Sequence, residues 1–161
     1  MTENVADPRP GPGQVMIDVE SANVTFVDTQ IRAGKAPRPE ILPKLPAILG
    51  NGVAGRIVAC GAGGDPGLVD RRVMTSLDGT GGYAQRAIAD VGRLVDIPRH
   101  LQTPEALALL ADGRTAVLLA RSTAIQAGQT ALVEAAAGGV GSLLVQLAQL
   151  AGARVVAAAG G

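Results

Sequence analysis

The stretch that most limits what this chain can fold into is "TALVEAAAGGVGSLLVQLAQLAGARVVAAAGG", Thr130 to Gly161. Its first apolar run, "TALVEAA" (Thr130 to Ala136), predicts a short strand, and the glycine pair after it predicts a turn. From Val140 to Ala151 the residues Val140, Leu143, Leu144, Leu147, Leu150 and Ala151 recur at the i, i+3, i+4 spacing of a helix with one apolar stripe. Gly152 supplies a stop. "RVVAAA" (Arg154 to Ala159) is then a second apolar strand, of the unbroken kind that suits a parallel sheet covered on both faces. Strand, turn, helix and strand make a βαβ unit, whose crossover is right-handed.

Such a unit aims the unpaired N–H groups and positive end of its helix at whatever lies above the first strand. In "AAGGVG" the residues Ala136, Gly138 and Gly141 fall at the three small positions of the dinucleotide fingerprint. Gly138 and Gly139 let the backbone approach a pyrophosphate, and Gly141 lets the helix lie close on the strand. Ala137, Gly138, Gly139, Val140 and Gly141 are therefore the candidate phosphate turn. No Lys-Ser or Lys-Thr follows the glycines, which excludes a P-loop. About 20 residues further on, where the fingerprint places a carboxylate for the ribose 2′-hydroxyl, the chain has Gly160 and Gly161. Small residues there leave room for a 2′-phosphate, so NADPH is favoured over NADH.

Upstream the pattern is different. Short apolar runs between Gly and Pro clusters, from the start to about His100, are the signature of an all-β unit. "QVMIDVESA" (Gln14 to Ala22) alternates Val15, Ile17 and Val19 with Met16, Asp18 and Glu20, and so buries one face. Further strands are expected at Val53 to Gly61, Arg71 to Ser76, Gly82 to Asp90 and Arg93 to Pro98. The proline-rich "KAPRPEILPKLPAILG" (Lys35 to Gly50) is a surface loop, because each proline removes a ladder donor and restricts its predecessor. Asp28 and Arg32 are spaced to pair across one turn of a short helix. At Thr103 a hydroxyl N-cap, Pro104 and Glu105 open a helix that Gly113 closes, and a second helix runs from Arg114 to about Gln126.

The fold class is thus α/β with a β-rich part, organised as residues 1–102, connecting helices over 103–127 and a βαβ unit over 128–161. Fourteen basic and 14 acidic residues cancel, with no Lys/Arg cluster to neutralise a run of phosphates, so nucleic acid is not expected as a partner. Phe26 and Tyr83 are the only aromatics, which leaves no stacking platform for bases. One cysteine, Cys60, and one histidine, His100, exclude an internal disulfide and a Cys/His zinc cluster. Cys60 reads as a small buried residue ending a strand, and His100 as a surface loop residue. No stretch reaches the length of a signal peptide's apolar core at the start, or of a membrane span anywhere, so a cytoplasmic setting without membrane partners is expected.

In their order and spacing, "RPGPGQVMIDVESANVTFVDTQIRAG", "PAILGNGVAGRIVACGAG", "GGYAQRAIADVGRLVDIP", "DGRTAVLL" and "ALVEAAAGGVGSLLVQLAQLAGARVV" resemble the medium-chain dehydrogenase/reductase superfamily, and within it the zinc-free quinone oxidoreductase (zeta-crystallin-like) branch. The resemblance implies a GroES-like β domain followed by the first βαβ unit of a Rossmann fold. It also implies a homo-oligomeric complete enzyme that reduces quinones or related enone-like conjugated carbonyl compounds with NADPH. Zinc alcohol dehydrogenases of this superfamily carry a cysteine in the region of "NVTFVDTQ" and a histidine after the glycine of "GNGVAG". Here no cysteine lies near Phe26, Asn51 follows Gly50, and the cysteine-rich structural-zinc lobe is absent, so no metal is expected.

By position Thr115 resembles the family threonine near the nicotinamide. Thr25 stands where many relatives have asparagine and Gln30 where many have tyrosine, and with Phe26 and Asn51 they are the candidate substrate-pocket residues. No catalytic residue is assigned. The family pattern implies further strands before "DPRPGPGQ" and the rest of the Rossmann sheet after "ARVVAAAGG". A fragment of a longer enzyme, a split protein and a reduced relative are all open, and a break inside a folding unit favours the first. Two alternatives stand beside the quinone reductase: a non-catalytic GroES-like binding or scaffold module, and an enoyl thioester reductase.

Overall fold

The computed structural model describes residues 5–36 and 38–160; Met1 to Asn4, Pro37 in the proline-rich loop and Gly161 lie outside the described residues. The chain divides into two compact units, the first ending at Leu107 and the second beginning at Ala108.

The first unit is built on five antiparallel strands. In chain order they are β1 (Gln14–Ala22), β2 (Gly52–Cys60), β3 (Arg72–Ser76), β4 (Arg86–Asp90) and β5 (Val95–Asp96), and the sheet order is β4-β1-β2-β3-β5. A short helix, α1 (Phe26–Arg32), follows β1. Pairing of Ile17 with Ile57 and with Ala87 places apolar residues of three strands on one face. There Val15, Ile17, Val53, Ile57, Leu68, Val73, Leu77, Ala87 and Ala89 form a buried cluster. Its larger aliphatic members each contribute on the order of 1.5–3 kcal/mol of transfer free energy. The expected alternation of β1 is present in Val15 and Ile17, both fully buried, against Asp18 and Glu20, both exposed.

Two expected strands are shorter than the sequence pattern suggests. Gly82 to Gln85 bends before β4 begins at Arg86, and Val91–Arg93 forms a 3-10 turn that reduces the Arg93 to Pro98 run to Val95–Asp96. In the proline-rich segment, Pro39–Ile41 is one 3-10 turn inside otherwise irregular chain. Cys60 does end β2, but it is only partly buried, and its thiol donates to the Asp65 carbonyl at 3.3 Å. His100 is an exposed turn residue.

The two expected helices after Thr103 are one, α2 (Thr103–Thr123), and Gly113 lies in its interior. A single interior glycine costs about 1 kcal/mol against alanine, too little to break a run flanked by Ala and Leu on both sides. The Thr103 hydroxyl also does something other than cap the helix: it donates to Glu20 Oε2 at 2.7 Å and accepts from Arg72 Nη2 at 3.2 Å. Glu105 instead reaches back to accept from the Gln102 N–H at 2.8 Å, which satisfies an end donor of the helix.

In the second unit β6 (Thr130–Val133) and β7 (Arg154–Ala157) pair in parallel, joined by α3 (Gly139–Leu150). This is the expected βαβ unit, with both strands shorter than expected. The helix buries Gly141 and Ala148, whereas Leu150 is 84% exposed and Ala151 is exposed too, so the apolar stripe stops short of its expected end. The register partners Leu132 and Val156 share a face and are both exposed. The described residues cover only one face of the strand pair, and the expected two-sided burial is not met. Among the described residues no helix is long and apolar enough to cross a membrane.

Candidate functional site

β6 ends at Val133, and Glu134 to Ala137 turn the chain into α3. Ala135 takes a positive φ of 51° in this turn, and its carbonyl accepts from the Gly138 N–H at 2.9 Å. Gly138 is the N-cap of α3 and offers no side-chain cap. The first bond along the helix runs from the Ser142 N–H to the Gly138 carbonyl at 2.9 Å. Consequently the N–H groups of Gly139, Val140 and Gly141 have no partner within the helix.

The glycines of this turn have separable causes. A Cβ on Gly141 would lie 2.9 Å from both the Ala135 carbonyl carbon and the Ala136 Cα, so helix and turn meet at a distance that only glycine permits. A Cβ on Gly139 would overlap the Asp112 carboxylate, whose Cγ would lie 2.9 Å away. Ala136 donates to the Ala158 carbonyl at 2.9 Å, and Ala158 donates to the Val133 carbonyl at 2.9 Å. These bonds draw the end of β7, and exposed Gly160 beyond it, alongside the turn. Three donors without a helical partner, at a helix N-terminus where glycines leave the backbone open, fit an anionic phosphate group, and the Asp112 carboxylate is the side chain beside them.

Thr115 is an exposed residue of α2 that donates to the Ala111 carbonyl at 2.9 Å, the back-bond typical of a helical threonine. Asp112 stands one turn before it on the same helix, and sequence reasoning does not single it out. Its i, i+3 relation to Thr115 is the one signal that draws attention to it.

The candidate pocket residues lie in the first unit, and the polar ones are bonded to neighbours within it. Thr25 caps α1: its N–H and hydroxyl donate to Asp28 Oδ2 at 2.8 and 2.6 Å, and its Oγ1 accepts from the Asp28 N–H at 3.3 Å. This capping box uses the carboxylate that spacing pairs with Arg32; Asp28 forms no ion pair with Arg32, and its side chain is turned inward, 5% exposed. Phe26 is 76% exposed, and Gln30 donates only to Thr29 Oγ1, at 3.3 Å. Asn51 holds a glycine-rich loop: its Oδ1 accepts from the Gly79 N–H at 3.0 Å, and its carbonyl accepts from the Leu77 N–H at 2.6 Å.

Two further residues complete this cluster. Asn23 Oδ1 accepts from the Gly52 N–H at 3.1 Å. The Tyr83 ring packs on Gly50, where a Cβ would approach Cδ1 to 2.6 Å. Burial, then the negative charge of Asp28, then a hydrogen bond to that carboxylate raise the Tyr83 pKa above the ordinary tyrosine value. Among the described residues, no group of three or more His, Cys, Asp and Glu side chains is placed to hold a metal ion.

Residues 11–99 match the family model for the alcohol dehydrogenase GroES-like domain. A quinone oxidoreductase from Homo sapiens is 34% identical over 161 residues, covering 99% of this chain and 48% of that protein. A 2-haloacrylate reductase from Burkholderia sp is 33% identical over 157 residues, 96% of this chain and 47% of that protein. Among solved structures, a quinone oxidoreductase from Thermus thermophilus, described together with its complex with NADPH, is 30% identical with a TM-score of 0.82, covering 99% of this chain and 49% of that one. The chain spans about half the length of the curated relatives it matches. With a strand order, a glycine turn and a family model in agreement, the chain belongs to the alcohol dehydrogenase GroES-like domain family, in the quinone oxidoreductase branch of the medium-chain dehydrogenase/reductase superfamily.

Proposed function

We propose that this chain contributes the GroES-like domain and the phosphate-binding turn of an NADPH-dependent oxidoreductase that reduces quinones or related conjugated carbonyl compounds without a metal. The proposal takes residues 1–102 as the GroES-like domain, 103–127 as the connection and 128–161 as the first half of a Rossmann domain. The observation that carries it is the start of α3, where Gly139, Val140 and Gly141 present N–H groups that the helix itself cannot satisfy.

In this reading those three N–H groups, with Ala137 and Gly138 completing the backbone turn, hold the pyrophosphate. The segment running to Gly160 admits a 2′-phosphate because no bulky side chain stands there. NADPH, when bound, supplies a hydride to an electron-poor double bond. The protein's contribution is to position the reacting carbons and to exclude water. Thr115 supplies a hydroxyl on the nicotinamide side, while Thr25, Phe26, Gln30 and Asn51 shape the substrate side. Asn51 and Thr25 do so through the backbone they hold, since Asn51 Oδ1 and the Thr25 hydroxyl are already engaged.

The relatives support the reaction class. Quinones and 2-haloacrylates, the substrates in their names, both present a carbon–carbon double bond conjugated to a carbonyl or carboxyl group. The test is a titration of NADPH and of NADH into the folded chain, followed by nicotinamide fluorescence. Saturable binding with NADPH preferred is the expected outcome. A flat titration by protein of native circular dichroism refutes cofactor binding by this chain. Parallel assays with a quinone and an enoyl thioester then separate the two reductase chemistries.

A further inference from the structure

The carboxylate of Asp112 lies against the start of α3, so close that a Cβ on Gly139 would overlap it. That helix has no acidic residue in its first turn, and its N-cap, Gly138, has no side chain to accept from the end N–H groups. Among the described residues Asp112 takes part in no ion pair within 4 Å. The positive centre it meets is therefore the helix end itself, equivalent to about half a unit charge.

We propose that Asp112 is an electrostatic counterweight at the phosphate turn: it stabilises the uncapped start of α3 from a neighbouring helix, and it weakens phosphate binding there by competing for the same partial charge. The inference rests on the reading of Gly138 to Gly141 as a phosphate site and adds a residue that sets that site's affinity. A negative side chain near a helix N-terminus is stabilising. A phosphate arriving at the same end gains from the helix but is repelled by the carboxylate already there. One residue thus trades stability of the empty turn against affinity for its ligand. Gly139 is part of the device, because a side chain at that position would push the carboxylate away.

The two effects carry opposite signs, and a purely structural role would not produce that combination. The experiment compares the chain with Asp112→Asn, nearly isosteric and uncharged, in thermal melts without ligand and in NADPH fluorescence titrations at low and high salt. The expected result is a melting temperature lower by roughly 2–4 °C together with NADPH binding tighter by roughly threefold to tenfold at low ionic strength, the gain shrinking as salt screens the charge. Asp70→Asn removes the same charge from an exposed loop of the first unit and should leave affinity within about twofold. Equal or weaker NADPH binding by Asp112→Asn, with the parent chain binding normally, overturns the counterweight and leaves the phosphate turn standing. Tighter binding with an unchanged melting temperature also overturns it, because the helix-stabilising half is then missing. Binding by neither protein, both natively folded, overturns the counterweight and the phosphate turn together.

Discussion

The start of α3 and the α1 cluster are both small, polar and set among glycines, yet they spend their hydrogen bonds in opposite ways. Around Thr25, Asp28, Asn23, Asn51 and Tyr83 the polar atoms of side chains and backbone are matched to one another inside the first unit. At Gly139, Val140 and Gly141 the donors are left over. A satisfied cluster stabilises and positions, because any ligand there must first displace an internal partner. An unsatisfied one has capacity to bind. The difference separates residues that build a domain from residues that can recognise something.

The harshest way to break the comparison is at Gly141. Gly141→Val places a branched side chain into the backbone of Ala135 and Ala136, and the turn cannot hold its shape around it. The expected outcome is a loss of about 2–4 kcal/mol of stability and no saturable NADPH binding. Denaturant melts and the fluorescence titration check both. Native affinity in this variant would sink the assignment of the phosphate turn to these residues.

A smaller effect should follow from Asp28→Ala. It removes the acceptor of the Thr25 N–H and hydroxyl and takes away the carboxylate that helps raise the Tyr83 pKa. A cost of about 1–2 kcal/mol is expected, since the capping box is lost and the part-buried Thr25 donors lose their acceptor. Nucleotide affinity should stay within about twofold of the parent, because the cluster lies in the other unit. If the titration weakened as much as in Gly141→Val, the division into a building region and a binding region would be wrong.

The sequence makes these two regions legible to different degrees, for physical reasons. The βαβ unit can be read because its pattern is local: apolar runs, a glycine turn and helical spacing follow one another within 32 residues, from Thr130 to Gly161. The antiparallel strands are likewise visible, and Gln14–Ala22 matches to the residue. What escapes depends on neighbours distant in the chain. Gly113 looks like a helix stop, but α2 runs through it, since the cost of one glycine does not outweigh the turns on either side. Spacing pairs Asp28 with Arg32, yet the carboxylate turns inward to Thr25 and Tyr83, and Tyr83 lies 55 residues further along the sequence. Asp112 cannot be connected to Gly139 from spacing at all, because the approach of its carboxylate to the start of α3 exists only in the folded chain.

The smallest effect concerns Tyr83 and sharpens the satisfied side of the comparison. Burial and the Asp28 carboxylate hold its pKa above that of a free tyrosine, about 10. The unfolded chain therefore releases this proton at a lower pH than the folded one. Whatever the shift contributes to stability is fully present below about pH 10 and is lost as pH rises through the folded value. Because the side chain is 41% exposed, solvent screens the interaction and the decline should be slight. As the only tyrosine, in a chain without tryptophan, Tyr83 can be followed directly by its ultraviolet absorbance during an alkaline titration. The folded protein should ionise later than the same protein in denaturant, and Asp28→Asn should move the midpoint back toward the free value. A folded midpoint no higher than the denatured one would mean that Tyr83 is not held by Asp28, and that the cluster around α1 has a spare donor after all.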